Sequence, residues 1–148
     1  MRYILQSIYI DKQFNLNSFK NIVEIGGGYG GLINVLSIIS NEKYLYYCHD
    51  LPYMKILQRN FFWEAGTNIE LLEKPPFSPD LLIANCSWSE LDLETKIDYI
   101  LRVISKAQRG FMIINYDYAE NLELLKKYMP GYEFKEHGND IVTFNFVP

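Results

Sequence analysis

Two cysteines and two histidines among 148 residues leave little metal or disulfide chemistry to build with. Cys48 and Cys86 are too scattered for a zinc site and too few for a disulfide framework. Both lie in apolar company, so they read as buried free thiols in a reducing compartment. Positive charge is short as well. Fourteen Lys and Arg face eighteen Asp and Glu, a formal net charge of -4 that argues against a nucleic-acid backbone as partner. No apolar run approaches the roughly 20 residues needed to cross a bilayer. Residues 1–10 carry one Arg and an apolar stretch interrupted by Gln6 and Ser7, which makes a poor signal peptide. A cytoplasmic location without membrane attachment is therefore expected. Repeats, linkers and low-complexity tracts are missing too. With 49% hydrophobic and 22% charged residues, the chain has the balance of an ordinary globule. Its length suits one domain over residues 1–148, of which 1–20 form a helix and a connector.

What is abundant is glycine, in one place. Residues 22–31 read Ile-Val-Glu-Ile-Gly-Gly-Gly-Tyr-Gly-Gly, with five glycines in the six positions from Gly26. Three apolar residues and Glu24 make a short strand. Leu32, Ile33, Val35, Leu36 and Ile39 then recur at helical spacing. Strand, glycine turn and helix form a nucleotide-binding geometry. The glycines let the backbone approach a ligand without a Cβ in the way, and the helix points its free N–H groups at that ligand. A bulky side chain at Gly28 is expected to clash there. Two templates fit. Gly26, Gly28 and Gly31 satisfy G-x-G-x-x-G, the dinucleotide fingerprint. Glu24, Gly26, Gly28 and Gly30 satisfy E-x-G-x-G-x-G, the first motif of S-adenosylmethionine-dependent methyltransferases. Glu24 tips the balance to the second. An acid at the mouth of the strand suits an ammonium-bearing ligand and sits badly beside a pyrophosphate.

The rest of the chain alternates strands with helices. Residues 2–13 form an amphipathic helix with Ile4, Leu5, Ile8 and Tyr9 on one face, and 15–21 a polar connector. Strands are expected at 22–25, 44–49, 68–72, 80–85 and 111–115. Helices are expected at about 30–40, from Pro52, from about Glu94 and at about 119–128. The helix from Pro52 carries Met54, Leu57, Phe61 and Phe62 towards the sheet. Glu73 to Pro79 holds three prolines and excludes a helix. Residues 132–134 and 141–146 flank Gly138-Asn139-Asp140, a hairpin signal. The predicted fold is α/β and Rossmann-like: a doubly wound, mostly parallel seven-stranded sheet of order 3-2-1-4-5-7-6, ending in an antiparallel hairpin.

The second strand runs into Asp50-Leu51-Pro52. Asp50 can cap the following helix. Lying about 20 residues past the glycines, it is also placed to hold the ribose hydroxyls of an adenosine cofactor. His49 points to the opposite strand face and has a packing role, and His137, near the hairpin, is read as solvated.

Together, the glycine stretch, Asp50-Leu51-Pro52 and Asn85-Cys86-Ser87-Trp88-Ser89-Glu90-Leu91 resemble the sugar O-methyltransferase family. The third segment is similar to that family's N-Y-x-F-S-E-L. The resemblance covers most of residues 3–120. Family members carry more chain before the first strand, where upstream helices close over the acceptor. The resemblance implies methyl transfer from S-adenosylmethionine to a hydroxyl. The cofactor-binding residues it points to are Glu24, Gly26, Gly28, Tyr29, Gly30, Asp50, Leu51 and Asn85. A hydroxyl is a weak nucleophile and needs a base, for which Glu90 is first choice and Asp117 second. Their alternative roles are a carboxylate facing a helix dipole and a turn residue. Trp88 is the aromatic residue expected to line the sugar. Nothing in the spacing of Asp50, Glu90 and Asp117 requires a metal. The expected partner is a small hydroxyl compound, with a homodimer or a partner chain completing the acceptor site. A NAD-dependent oxidoreductase and a cofactor-binding domain without chemistry of its own are the alternatives.

Overall fold

The computed structural model describes residues 2–138 and 140–147. Seven strands form one mixed sheet in the order β3-β2-β1-β4-β5-β7-β6. The chain divides into two compact units, Met1–Pro76 and Phe77–Pro148.

In the first unit β1 (Asn21–Ile25), β2 (Tyr44–His49) and β3 (Ile69–Leu71) pair in parallel, with Val23 opposite Tyr47 and Tyr46 opposite Leu71. Ile22, Val23, Glu24 and Ile25 are all buried, as a parallel strand covered on both faces requires. Helix α1 (Arg2–Phe14) packs on α2 (Gly31–Ser40), and α3 (Pro52–Ala65) links β2 to β3. α3 starts with Pro52 in its first turn, where no N–H is missed. It stops at Gly66, whose φ of 60° is the left-handed end that glycine accepts without cost.

Three expectations need correction here. α1 buries Gln6, Ser7 and Ile10, while Ile4, Leu5 and Ile8 face solvent. Hydrophobic spacing marks an apolar stripe, but the partner decides which face is covered. The connector after α1 is not purely polar: Leu16 and Phe19 are buried, with Leu16 in a short 3-10 turn. α3 buries Phe62 and Gln58 and leaves Leu57 exposed.

In the second unit β4 (Leu81–Asn85) and β5 (Arg109–Ile113) are parallel. β7 (Ile141–Phe146) runs antiparallel to both β5 and β6 (Tyr132–Glu136). The hairpin turn includes Asn139, which lies outside the described residues. α4 (Leu93–Arg102) is capped by Asp92, whose carboxylate accepts from the Thr95 N–H at 2.9 Å and from its hydroxyl at 2.7 Å. α5 (Tyr118–Tyr128) follows β5. His137 is tied down, its Nε2 2.7 Å from the buried Thr143 hydroxyl, rather than solvated as expected. Among the described residues no helix is long and apolar enough to cross a membrane.

Gly110 on β5 stands opposite Phe144 on β7, and a Cβ there would meet the fully buried Phe144 ring. Gly110→Ala is expected to lower stability by about 1–3 kcal/mol, the scale of overpacking. An unshifted urea midpoint would refute the contact.

Candidate functional site

β1 ends in a left-handed turn, with φ of 68° at Gly26, 56° at Gly28 and 91° at Gly30, and α2 begins at Gly31. Steric constraint falls on Gly30, where a Cβ would meet the Phe62 ring, on Gly31, where it would meet Tyr3 and Tyr29, and on Gly27. A Cβ there would meet the Tyr46 hydroxyl, the Cys48 sulfur and Glu24 Oε2. At Gly28 a Cβ would find only Met54 Cε, at 3.9 Å. A Cβ alone thus meets no close protein atom at Gly28, and its positive φ is one that glycine adopts without cost.

Beneath the turn lies a layer of buried polar side chains. Glu24 is 2% exposed, and its Oε2 accepts from the Tyr46 hydroxyl at 2.7 Å. Burial raises its pKa to about 7, against the Tyr46 hydrogen bond and with a smaller push from Asp50. Glu24 is thus sealed under the turn, whereas the sequence argument set it at the strand mouth. Tyr46, pushed well above its ordinary value by burial, stays a neutral donor. The Cys48 thiol is raised to about 11, chiefly by burial, and its sulfur accepts from the Gly27 N–H at 3.3 Å. Gln58 reaches in from α3, a contributor the sequence reading missed. A polar residue amid the apolar positions of a sheet-facing helix was the available signal.

Asp50 occupies the rim. Its Oδ2 accepts from the Gly28 N–H at 2.9 Å and its Oδ1 from the Leu51 N–H at 2.8 Å. It does not cap α3, which starts from Leu51 without a side-chain cap. Tyr29 is exposed and lies edge-on to Tyr3 and Phe61, with ring centroids 6.2 and 5.1 Å away. His49 meets the Tyr47 ring edge-on at 4.9 Å, and its pKa is lowered by burial and then by Lys55.

The second unit gathers the other candidates. β4 ends at Asn85, and Cys86 follows at a φ of 65°, a conformation that a non-glycine residue adopts at a cost. Asp117, after β5, is left-handed too, at 44°. Glu90 and Asp117 line one open groove of about 460 Å³ with Ser89, Leu91, Lys96 and Tyr116. Asn115 organises one side of it. Its Oδ1 accepts a short bond from the buried Ser89 hydroxyl, and its Nδ2 donates to Glu90 Oε1 at 3.1 Å. Asn115 was not among the expected site residues, although it lies in the segment that leads from β5 to Asp117. Trp88 is corrected from a sugar platform to a core residue. It is 1% exposed, and its indole N–H donates to the Lys96 carbonyl at 3.3 Å. Among the described residues no three His, Cys, Asp or Glu side chains are placed to hold a metal ion.

No protein-family model and no curated protein matches this sequence. Solved structures do. An O-methyltransferase (NcsB1) from neocarzinostatin biosynthesis, in complex with S-adenosylmethionine and 2-hydroxy-5-methyl naphthoic acid, is 15% identical. It aligns with a TM-score of 0.71 over 98% of this chain and 56% of its own. An O-methyltransferase family protein from Burkholderia thailandensis gives 10% identity and a TM-score of 0.72 over 96% of this chain and 55% of its own. The N,N-8-amino-8-demethyl-D-riboflavin dimethyltransferase (RosA) from Streptomyces davawensis gives 12% and 0.69 over 99% and 54%. At these identities the likeness is one of fold, the Rossmann-like methyltransferase fold. The chain spans about half the length of these neighbours.

A carboxyl whose folded pKa lies above its unfolded value stabilises the fold only while protonated. The Glu24 contribution is therefore full below about pH 4.5 and is lost as pH rises through about 7. Glu24→Gln keeps an acceptor for Tyr46 and is expected to flatten a decline on the order of 3 kcal/mol across that window. Urea titrations from pH 4.5 to 8 test this. A mutant curve parallel to that of the wild type would refute it.

Proposed function

We propose that the protein is an S-adenosylmethionine-dependent methyltransferase acting on a hydroxyl of a small acceptor, with a sugar as the acceptor class. The observation that carries the cofactor reading is the Asp50 carboxylate at the end of β2, bonded to the Gly28 N–H of the glycine turn that opens α2. The turn fits such a ligand. At Gly28 a Cβ would find only Met54 Cε, at 3.9 Å, so the backbone there is open to a ligand, and each Asp50 oxygen bonded to an N–H keeps acceptor capacity for a ribose hydroxyl. The fold supports the same reading, since NcsB1 is described with S-adenosylmethionine and another neighbour, PigF, with S-adenosylhomocysteine. It gives no support to the oxidoreductase alternative.

When bound, the cofactor supplies a methyl group on a sulfonium, already activated for in-line transfer. The chain then has to position the reactants and move one proton. In the proposed arrangement Gly26, Gly28, Tyr29, Gly30, Asp50, Leu51 and Asn85 serve the cofactor side, and Glu24 supports the turn from beneath. Glu90 takes the acceptor's proton. Its Oε1 is held by the Asn115 amide, which leaves Oε2 for the hydroxyl. Asp117 lines the same groove as second candidate. The sugar assignment rests on the resemblance of residues 85–91 and on a groove rimmed by Ser89, Glu90, Lys96 and Asp117, side chains suited to hydroxyls. The partner chain or second copy expected to complete the acceptor site belongs to the same proposal, and the alternative is a cofactor-binding domain without independent chemistry.

Calorimetry with S-adenosylhomocysteine and with NAD separates the cofactor classes, and only the first is expected to bind. Asp50→Ala should weaken that binding by about 1.5–3 kcal/mol, the worth of a hydrogen bond to a charged group. Unchanged affinity would refute the ribose role. On a panel of sugars, Glu90→Gln should keep cofactor affinity while turnover falls about 100-fold. Near-normal turnover would make Glu90 structural and move the base to Asp117. Tight cofactor binding with no methyl transfer would favour the non-catalytic reading.

A further inference from the structure

The Gly28 peptide is held from two sides. Asp50 takes its N–H, and the Gln58 side chain takes its carbonyl, with Nε2 donating to Gly28 O at 2.6 Å. Gln58 is fully buried on α3, thirty positions along the chain, and its side chain is hydrogen-bonded to the Cys48 thiol under the turn as well. Gln58 also lines a small cavity of about 40 Å³ together with Cys48, Lys55, Arg59, Leu71, Leu72 and Glu73. Burying an amide is unfavourable unless it is hydrogen-bonded, a cost that a methionine of similar size would not carry. The bonds that the amide makes therefore say what the polar side chain does there.

We propose that Gln58 is a positioning residue of the cofactor site: by holding the Gly28 carbonyl it fixes the peptide plane between Gly28 and Tyr29. In a trans peptide the C=O and the following N–H point in opposite directions. Drawing the carbonyl down to Gln58 turns the Tyr29 N–H the other way, as a donor for the ligand. The same bond keeps a carbonyl lone pair from facing that ligand, and steadies the Gly28 N–H on Asp50. A glycine at a φ of 56° can flip its peptide at little cost, so a clamp from outside the turn acts on this peptide's orientation. The inference rests on the cofactor reading given above.

The test is calorimetric titration of the full chain with S-adenosylhomocysteine at pH 5.5 and 8, using Gln58→Met and Gln58→Glu. Gln58→Met lacks the donor and should bind about tenfold more weakly than wild type at both pH values, one hydrogen bond's worth. Gln58→Glu should bind weakly at pH 8, where a carboxylate faces the Gly28 carbonyl. It should recover towards wild type at pH 5.5, where a buried carboxyl is protonated and can donate. The charged and titratable groups around this position are Lys55 and Arg59 on α3, Cys48 and Asp50 at the end of β2, Glu73 after β3, and Glu24 and Tyr46 under the turn. Glu24 titrates in the same range, so each variant is compared with wild type at the same pH. A role in packing alone would lower the thermal midpoint and leave the pH pattern of affinity flat. Wild-type affinity in Gln58→Met, or a Gln58→Glu deficit equal at both pH values, overturns the proposal. Should Gln58→Met not fold, the Gln58→Glu pair of titrations decides. Failure of the wild type to bind S-adenosylhomocysteine overturns the cofactor reading together with this inference. Failure confined to the variants' pattern overturns this inference alone.

Discussion

The glycine turn holds its shape through hydrogen bonds that tie its backbone to the end of β2 and to α3. Gly26 donates to the His49 carbonyl, Gly27 to the Cys48 sulfur, and Gly28 is bonded at both its N–H and its C=O. Removing water from these groups would cost several kcal/mol if they were left unpaired. The turn and the layer beneath it therefore depend on each other. Tyr46, Cys48 and Glu24 occupy the space that a Cβ at Gly27 would take, and the missing Cβ is what lets them meet the backbone. A strand that ended in larger residues could not descend this far, and the helix after it would start elsewhere.

Glu24 shows what this arrangement costs. A carboxyl surrounded by a phenol, a thiol and backbone is pulled out of water without a cation to offset the loss, and its pKa rises accordingly. Tyr46 offsets part of the cost by donating to it. The second unit spends stability differently. Cys86 and Asp117 each take a left-handed backbone at the carboxyl end of a strand, and the Ser89–Asn115–Glu90 chain of hydrogen bonds holds a carboxylate in place. Strained backbone and buried polar networks gather where ligands bind in open α/β sheets, beyond the strand ends.

Much of the scaffold was open to a reader of the sequence. The strand and helix order, the antiparallel closing hairpin and the absence of a helix between β3 and β4 follow from short apolar runs, periodic helices and the three prolines of residues 73–79. The seven-stranded order then follows from the handedness and chain-reach rules that α/β sheets obey. Legibility ended at side-chain direction. Ile4, Leu5 and Ile8 make an apolar stripe on α1, but a stripe carries no information about which neighbour will cover it, and α2 covers the opposite face. Trp88 was misread for the same reason: an aromatic residue after a strand can turn outward to a ligand or inward to the core, and its indole found a backbone carbonyl inside.

The sequence by itself determined the elements, their order and the position of the glycine turn, because these follow from local periodicity and from backbone angles that only certain residues adopt. Only the tertiary structure decided that Glu24 is sealed under the turn, that Asp50 faces Gly28 instead of capping α3, that Asn115 holds Glu90, and that Gln58 holds the turn from thirty residues away. These are contacts between residues distant in the chain. Their hydrogen bonds depend on distances of about 3 Å that no local pattern encodes and that exist only once strands and helices have packed.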